Sequence, residues 1–123
     1  MSKIVNLQAD SWDEDVIEAE EEAVVVDFWH DMCSWCLRLN PIFEQLPDHF
    51  DNVRFFKFNV MDSNDNRELA LNQGVMGTPT IKIFCNGRGV GEIVGFRNLE
   101  TLIEEIRRII DDKEICLKQS TPL

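Results

Sequence analysis

Cys33 and Cys36 are separated by two residues, Ser34 and Trp35. Two thiols at this spacing can close a small disulfide ring, or they can supply half of a tetrahedral zinc site. A structural zinc would need two further ligands, and the remaining candidates are singly placed: Cys85, Cys116, His30 and His49. Because these residues form no second close pair, we predict redox chemistry at Cys33 and Cys36 and no metal site.

The cysteine pair lies between a predicted strand and a predicted helix. Residues 23–29 (AVVVDFW) are apolar on both faces, as in a central parallel strand covered on two sides. After the pair, apolar residues recur at helical spacing as far as Phe50, and Pro41 within this run predicts a kink. Unpaired N–H groups and the helix dipole favour an anion at such a helix start. We therefore expect Cys33 to be the exposed nucleophile and Cys36, one turn inward, to attack second.

The other segments predict a mixed sheet covered by helices. Ser11 and Glu14 form a capping box that predicts a helix to about Ala19. The pattern predicts strands at residues 4–7, 53–60, 80–85 and 90–95, helices at 64–72 and 99–110, and a hairpin turn at residues 86–87. Three strand-helix repeats followed by a hairpin and a helix indicate a parallel sheet extended by antiparallel strands.

Length and charge limit the classes of function. The 123 residues suit one domain, predicted at residues 1–112, with a tail at residues 113–123. A net charge of -11 opposes binding to nucleic acid or to an anionic membrane surface. Neither a signal peptide nor a stretch of transmembrane length is evident, so we expect the protein in the cytoplasm. Close cysteines in a reducing compartment are typical of catalytic or metal sites.

Several segments resemble the thioredoxin family, and the similarity runs from Ile4 to about Ile110. The segments that carry it are residues 10–16 (DSWDEDV), 26–29 (VDFW), Cys36 with Pro41, 57–60 (KFNV), 74–80 (GVMGTPT), 86–87 (NG) and 94–95 (VG). The resemblance implies the α/β thioredoxin fold: a central mixed five-stranded sheet, with three parallel strands plus an antiparallel hairpin, flanked by four helices. The resemblance also implies that the protein is a protein-disulfide oxidoreductase.

The resemblance assigns catalytic roles to three further residues. Asp27, in an otherwise apolar strand, would have a raised pKa and relay protons to or from Cys36, with Lys57 as its charge partner. The alternative is a partly exposed ion pair with a structural role. Pro79, if cis, would face the disulfide and leave the backbone of Thr78 free to pair with a substrate strand. The alternative is an ordinary trans proline at the start of a strand.

An uncharged patch on three loops is predicted to dock an extended peptide: Met32, Ser34, Trp35, Met76, Gly77, Thr78, Val94 and Gly95. The sequence departs from the family where reactivity is tuned. Met32 stands where the family usually has Trp, Ser34-Trp35 replaces Gly-Pro, and Leu37 replaces Lys. We expect the backbone N–H of Trp35, which proline would lack, to stabilise the thiolate and make the disulfide more oxidising.

Three functions remain open at this point. The first is a reductase of protein disulfides, a monomer supplied with electrons by a thioredoxin-reductase-type donor and needing no cofactor beyond the redox-active disulfide. The second is a more oxidising disulfide oxidase or isomerase, and the third is a redox-inert binding module. Cys85 is expected to be a small strand residue, and Cys116 an incidental thiol in the tail.

Overall fold

The computed structural model describes residues 3–20 and 22–111. Five strands form one sheet: β1 (Ile4–Leu7), β2 (Ala23–Trp29), β3 (Val53–Asn59), β4 (Thr80–Cys85) and β5 (Arg88–Val94). Three α-helices accompany it: α1 (Ser34–Phe43), α2 (Asn64–Asn72) and α3 (Leu99–Asp111). A π-type helix spans Asp13–Ile17, and 3-10 turns span Ala9–Ser11 and Leu46–His49. The predicted tail and Cys116 lie outside the described residues.

The strand order is β1-β3-β2-β4-β5, with β2 at the centre. β1, β3 and β2 run parallel, whereas β4 and β5 pair antiparallel as a hairpin. Strand β2 holds the centre because six of its seven residues are buried, so both of its faces are covered by other elements. The predicted fold, three parallel strands plus an antiparallel hairpin with helices on both faces, is confirmed.

Alternate residues of β2 enter two separate cores. Val24, Val26 and Phe28 pack on one face of the sheet, whereas Val25 packs on the other with residues of α1 and α3. Side chains two residues apart on a strand share a face, so Asp27 points toward the core that contains Val25. The single carboxylate of this strand therefore faces the helix that begins beside Cys33.

The helix predicted from Ser11 to about Ala19 is present as the shorter π-type helix Asp13–Ile17, but the predicted capping box is not formed. No side-chain cap stabilises the start of the helix at Asp13–Ile17, and its bond from Glu18 N–H to Asp13 O spans five residues. Trp12 explains the difference, because its buried ring packs 5.4–6.0 Å from the rings of three core phenylalanines. Burial of one aromatic side chain, rather than local capping, fixes the conformation of this segment.

Helix α1 is shorter than the apolar pattern predicts. It continues through Pro41 but ends at Phe43, and Phe50 is extended. Pro47 lies at the start of the 3-10 turn Leu46–His49, so that turn, and not a longer helix, buries Leu46. The apolar spacing thus predicts the buried face correctly but not the end of the helix, because it does not register the second proline.

The hairpin turn between β4 and β5 is found where the sequence predicts it. Asn86 and Gly87 have φ values of 50° and 81°, the left-handed region that a two-residue hairpin turn needs. A Cβ on Gly87 would also collide with the carbonyl group of Ile17. The turn therefore needs glycine for its backbone angle and for its approach to the Asp13–Ile17 helix.

Candidate active site

Cys33 and Cys36 form a disulfide at the beginning of α1. Cys33 is the N-cap residue with an extended backbone, and its Sγ accepts a hydrogen bond of 3.1 Å from the Cys36 N–H. Cys33 is half-buried, whereas Cys36 is 0% exposed. The Cys33 sulfur can therefore react with another molecule and lies at the positive end of the helix dipole, whereas the Cys36 sulfur is shielded from solvent. In this oxidised form the donor to Cys33 Sγ is the Cys36 N–H, and donation from the Trp35 N–H to the reduced thiolate stays a prediction.

Two further loops close around the disulfide. The Thr78–Pro79 peptide bond is cis, as predicted, and Thr78 O lies 3.5 Å from Cys33 Sγ. The Gly95 N–H donates a hydrogen bond of 2.8 Å to Pro79 O, which ties the loop after β5 to the proline. The structure thus brings together the three loops that carry the predicted docking residues.

The predicted docking residues lie largely in solvent. Met32 is 85% exposed, Met76 91%, Val94 56% and Trp35 51%. Ser34 and Gly77 are also exposed, and Thr78 and Gly95 are half-buried. Such a set of large apolar side chains around one sulfur exceeds the scattered exposure that is normal for a protein surface.

Trp35 is held in place by two residues that the sequence did not single out. Its ring lies 5.4 Å from the ring of Phe96, and the Arg38 guanidinium lies 4.8 Å from its centroid on the indole face. A cleft of about 350 Å³ is lined by Trp35, Phe96, Thr78, Pro79 and Gly95. The contact between Trp35 and Arg38 could have been predicted from the sequence, because the two residues lie three positions apart on one helix. The contact between Trp35 and Phe96 depends on tertiary packing.

A second apolar hollow lies on the other side of the Thr78 loop. It has a volume of about 280 Å³, and its lining includes His30, Met61, Leu71 and Met76. Met61 and Leu71 are 62% and 56% exposed. Neither residue was predicted as a docking residue, because each occurs in a polar sequence segment that has no motif around it.

Asp27 is 0% exposed, and neither of its carboxylate oxygens has a hydrogen-bond partner among the described residues. Burial raises the pKa of Asp27 from its ordinary value of 3.8 to about 7, and the positive charge of Lys57 opposes part of that rise. The predicted burial of Asp27 is found, and it shifts the pKa in the direction that the sequence predicts. The alternative of a partly exposed ion pair does not fit, because the carboxylate is fully buried.

Lys57 lies directly opposite Asp27 in the β2–β3 register. Its ammonium donates a hydrogen bond of 2.7 Å to Asn40 Oδ1 and lies 4.0 Å from the centroid of the Trp29 ring. Within residues 3–20 and 22–111, no ion pair of 4.0 Å or less joins Lys57 to Asp27. The charge partner is therefore near Asp27, as predicted, but acts across space and not through a salt bridge.

Other predicted features lie away from this site. Cys85 is buried in β4, as expected for a strand residue, and is not a free thiol. Among the described residues, no group of three or more His, Cys, Asp or Glu side chains could hold a metal ion. In the same part of the chain, no helix is both long and apolar enough to span a membrane.

Comparisons with known proteins agree with this arrangement. The family model described as thioredoxin matches residues 3–108. The chain is 32% identical over 106 residues to the thioredoxin of Rickettsia bellii, a match that covers 85% of this chain and 97% of that protein. It is 33% identical over 92 residues to the thioredoxin of Bacillus subtilis, covering 74% and 86%.

The fold is also shared with solved structures. The crystal structure of thioredoxin f from spinach chloroplast matches with a TM-score of 0.78 at 27% identity, covering 88% of this chain and 87% of that one. The family match at residues 3–108 spans the whole sheet and the Cys33–Cys36 disulfide. The chain therefore belongs to the thioredoxin family and is a thiol-disulfide oxidoreductase that works by dithiol exchange.

Proposed function

We propose that this protein reduces disulfides in partner proteins, with Cys33 as the nucleophile and Cys36 as the resolving thiol. The observation that carries the proposal is the unequal burial of the two sulfurs: Cys33 is half-buried at a helix N-terminus, and Cys36 is 0% exposed. An external disulfide can reach only the first of them. The same sulfur receives the hydrogen bond from the Cys36 N–H, which stabilises a thiolate.

The reaction has two exchange steps. The Cys33 thiolate attacks one sulfur of the substrate disulfide, that bond breaks, and the other substrate sulfur leaves as a thiolate that takes up a proton. Cys36 then loses its proton and attacks Cys33 Sγ, which breaks the mixed disulfide and releases the second substrate thiol. Two electrons pass to the substrate, and the protein is left with the Cys33–Cys36 disulfide observed here.

Asp27 is proposed to accept the proton of Cys36 in the second step. Its pKa of about 7 supports this role, because a carboxyl group with that pKa both takes up and releases protons near neutral pH. An ordinary carboxylate would hold a proton far too weakly to act as an efficient base toward a thiol. Its position on the sheet face that α1 covers is consistent with a role toward Cys36.

The substrate is proposed to bind as an extended segment across the loops around Cys33. Large exposed side chains at Met32, Trp35, Met76 and Val94 supply apolar contact area. The backbone of Thr78, beside Cys33 Sγ, is proposed to pair with the main chain of the substrate. A monomer suffices for this site, since the residues proposed for it all come from one chain.

The proposal includes a thioredoxin-reductase-type electron donor and a cytoplasmic location. The disulfide formed in each cycle must be reduced again, and a reducing compartment sustains a dithiol. Cell fractionation with an antibody against the protein tests the location. Recovery of the protein only in an oxidising compartment would contradict it.

A turnover assay on a disulfide-containing test protein, with dithiothreitol as the reductant, tests the reductase proposal. We expect reduction well above the rate with dithiothreitol alone and loss of this acceleration in Cys33→Ser. In Cys36→Ser we expect only a slower turnover, because dithiothreitol instead of Cys36 must resolve the mixed disulfide on Cys33. Full turnover by Cys33→Ser would contradict the assignment of the nucleophile. No acceleration by the unmodified protein would instead favour a redox-inert binding module.

An oxidase or isomerase is the second candidate, and Trp35 with Arg38 favours it. The Arg38 cation lies on the Trp35 ring at the rim of the site. A positive charge there stabilises a thiolate on Cys33, and a stabilised reduced form makes the disulfide more oxidising. The reduction potential distinguishes the candidates: a value near that of glutathione or less negative would favour the oxidase or isomerase.

A further inference from the structure

Asn40 is a polar residue on α1, one turn after Cys36 and directly before Pro41. It is half-buried, and its Oδ1 accepts the hydrogen bond of 2.7 Å from Lys57 Nζ. The sequence patterns gave this residue no role, because single polar positions are common in amphipathic helices. Its partner, however, is the cation that acts on Asp27.

The Lys57 ammonium depends on Asn40 for a hydrogen-bond acceptor. Lys57 is only 9% exposed, and its Nζ lies over the face of the Trp29 ring, which supplies electrostatic attraction but no lone pair. Within the described part of the chain, Asn40 is the one protein acceptor bonded to Lys57 Nζ. A desolvated cation that loses its acceptor is costly, so it moves toward water.

The Lys57 side chain lines a crevice through which its ammonium group can move toward solvent. The crevice has a volume of about 230 Å³, and its lining includes Asp31 and Asp62 as well as Lys57 and Trp29. Both aspartates are exposed. Without the Asn40 acceptor, water and these two carboxylates would draw the ammonium outward and away from Asp27.

Lys57 is the charged residue that lowers the pKa of Asp27 in this environment. From β4, the residue opposite Asp27 is the apolar Ile81. Helix α1, which covers this sheet face, carries Cys36, held here as a disulfide, and α3 packs on the same face through Leu102 and Ile106. Among the described residues, Lys57 supplies the positive charge that acts on the Asp27 carboxyl.

We propose that Asn40 is a positioning residue that holds the Lys57 ammonium inside the crevice, within electrostatic range of Asp27, and so sets the pH at which Asp27 ionises. This inference deepens the proposed function, since it matters to turnover only if Asp27 relays the proton of Cys36. It assigns Asn40 no contact with the substrate or with either sulfur.

The test is a carbon-13 NMR titration of the Asp27 carboxyl group in the full-length oxidised protein. In Asn40→Ala and in Asn40→Leu, we expect the Asp27 titration midpoint to rise by about half a pH unit or more, because a neighbouring positive charge has moved away. Alanine is the best helix former and leucine a good one, so α1 has no intrinsic reason to unfold. In a Lys57→Met background, the same Asn40 substitutions should leave the midpoint unchanged.

Gln45→Ala is the matched control. Gln45 Nε2 donates a hydrogen bond of 3.0 Å to Pro41 O, so this variant removes another side-chain bond at the end of α1 without touching Lys57. Its Asp27 midpoint should equal that of the unmodified protein. An unchanged or lowered midpoint in both Asn40 variants would overturn the proposal, as would a full rise that persists in the Lys57→Met background.

The kinetics separate this inference from the proposed function. If Asp27 relays the proton, the pH profile of disulfide reduction should move upward in Asn40→Ala together with the NMR midpoint. A moved midpoint with an unmoved pH profile would refute the relay role of Asp27 and would still support the positioning role of Asn40.

Discussion

Replacement of Asp27 by asparagine should stabilise the oxidised protein, and the gain should depend on pH. The pKa of Asp27 rises from 3.8 to about 7 on burial, so between these pH values the folded protein holds a proton that the unfolded chain has released. The contribution of protonated Asp27 to the free energy of unfolding is therefore fully present below about pH 4, and it is lost as the pH rises through about 7. Asparagine has no proton to lose, so it escapes this penalty.

The size of the effect follows from the two pKa values. They differ by about 3 pH units, and each unit corresponds to about 1.36 kcal/mol, which gives about 4 kcal/mol at pH 8. At pH 4 the carboxyl group is neutral in the folded protein, and an amide in the same unpaired environment should differ from it by only about 1 kcal/mol. The difference between the two proteins should therefore grow from pH 4 to about pH 7 and level off above it, where the folded protein has also lost the proton.

Urea unfolding of both oxidised proteins at several pH values from 4 to 8 measures this difference directly. Contributions from all other titrating groups cancel, because the two proteins share them. Asp51→Asn, at an exposed position, controls for the loss of one negative charge and should show no comparable growth with pH. A constant difference between unmodified protein and Asp27→Asn across the pH range would refute the raised pKa. Unchanged turnover of Asp27→Asn near neutral pH would separately refute the proton relay.

Three further predictions concern the rim of the site. Mild iodoacetamide treatment of the reduced protein should alkylate Cys33 before Cys36, as peptide mass spectrometry would show; the opposite order would refute the assigned nucleophile. Exchange of Ser34-Trp35 for Gly-Pro should make the potential against glutathione more negative, by about 30 mV for each 1.4 kcal/mol of lost thiolate stabilisation. No shift, or a less negative value, would remove this pair as the tuning element. Trp35→Ala should raise KM for a protein disulfide more than for a small aromatic disulfide. Leu37→Ala is the control, because Leu37 is 49% exposed and Trp35 51%, and it should change neither KM. An equal rise of both KM values in Trp35→Ala would mean that Trp35 makes no specific contact with a protein substrate.

The central elements of the fold are predictable because their sequence patterns are local and strong. The strand 23–29 carries an apolar residue at nearly every position, and only a strand covered on both faces can bury it. The hairpin at Asn86 and Gly87 rests on backbone angles that few residues adopt. The placement of Cys33 at a helix start follows directly from the strand before it and the apolar spacing after it.

The parts that escape prediction depend on contacts between distant segments. Trp12 sits in a phenylalanine cluster that overrides the capping signal beside it. Phe96 reaches Trp35 only because the hairpin returns beside the active-site loop. Asn40 and Lys57 are 17 residues apart on different elements, and nothing in either local sequence marks the bond between them. The hydrophobic pattern within one segment does not indicate which distant segment its residues contact.

The most direct test of the account is the covalent trapping of a test disulfide by Cys36→Ser, read by peptide mass spectrometry. Because this variant has no second thiol to resolve the mixed disulfide, the account predicts that one chain of the test protein stays attached through a disulfide to Cys33 and that dithiothreitol releases it. Cys33→Ser, the matched control, should trap far less under the same conditions. An adduct mapped to Cys85 or Cys116, or equal trapping by the two variants, would contradict the assignment of Cys33 as the attacking sulfur.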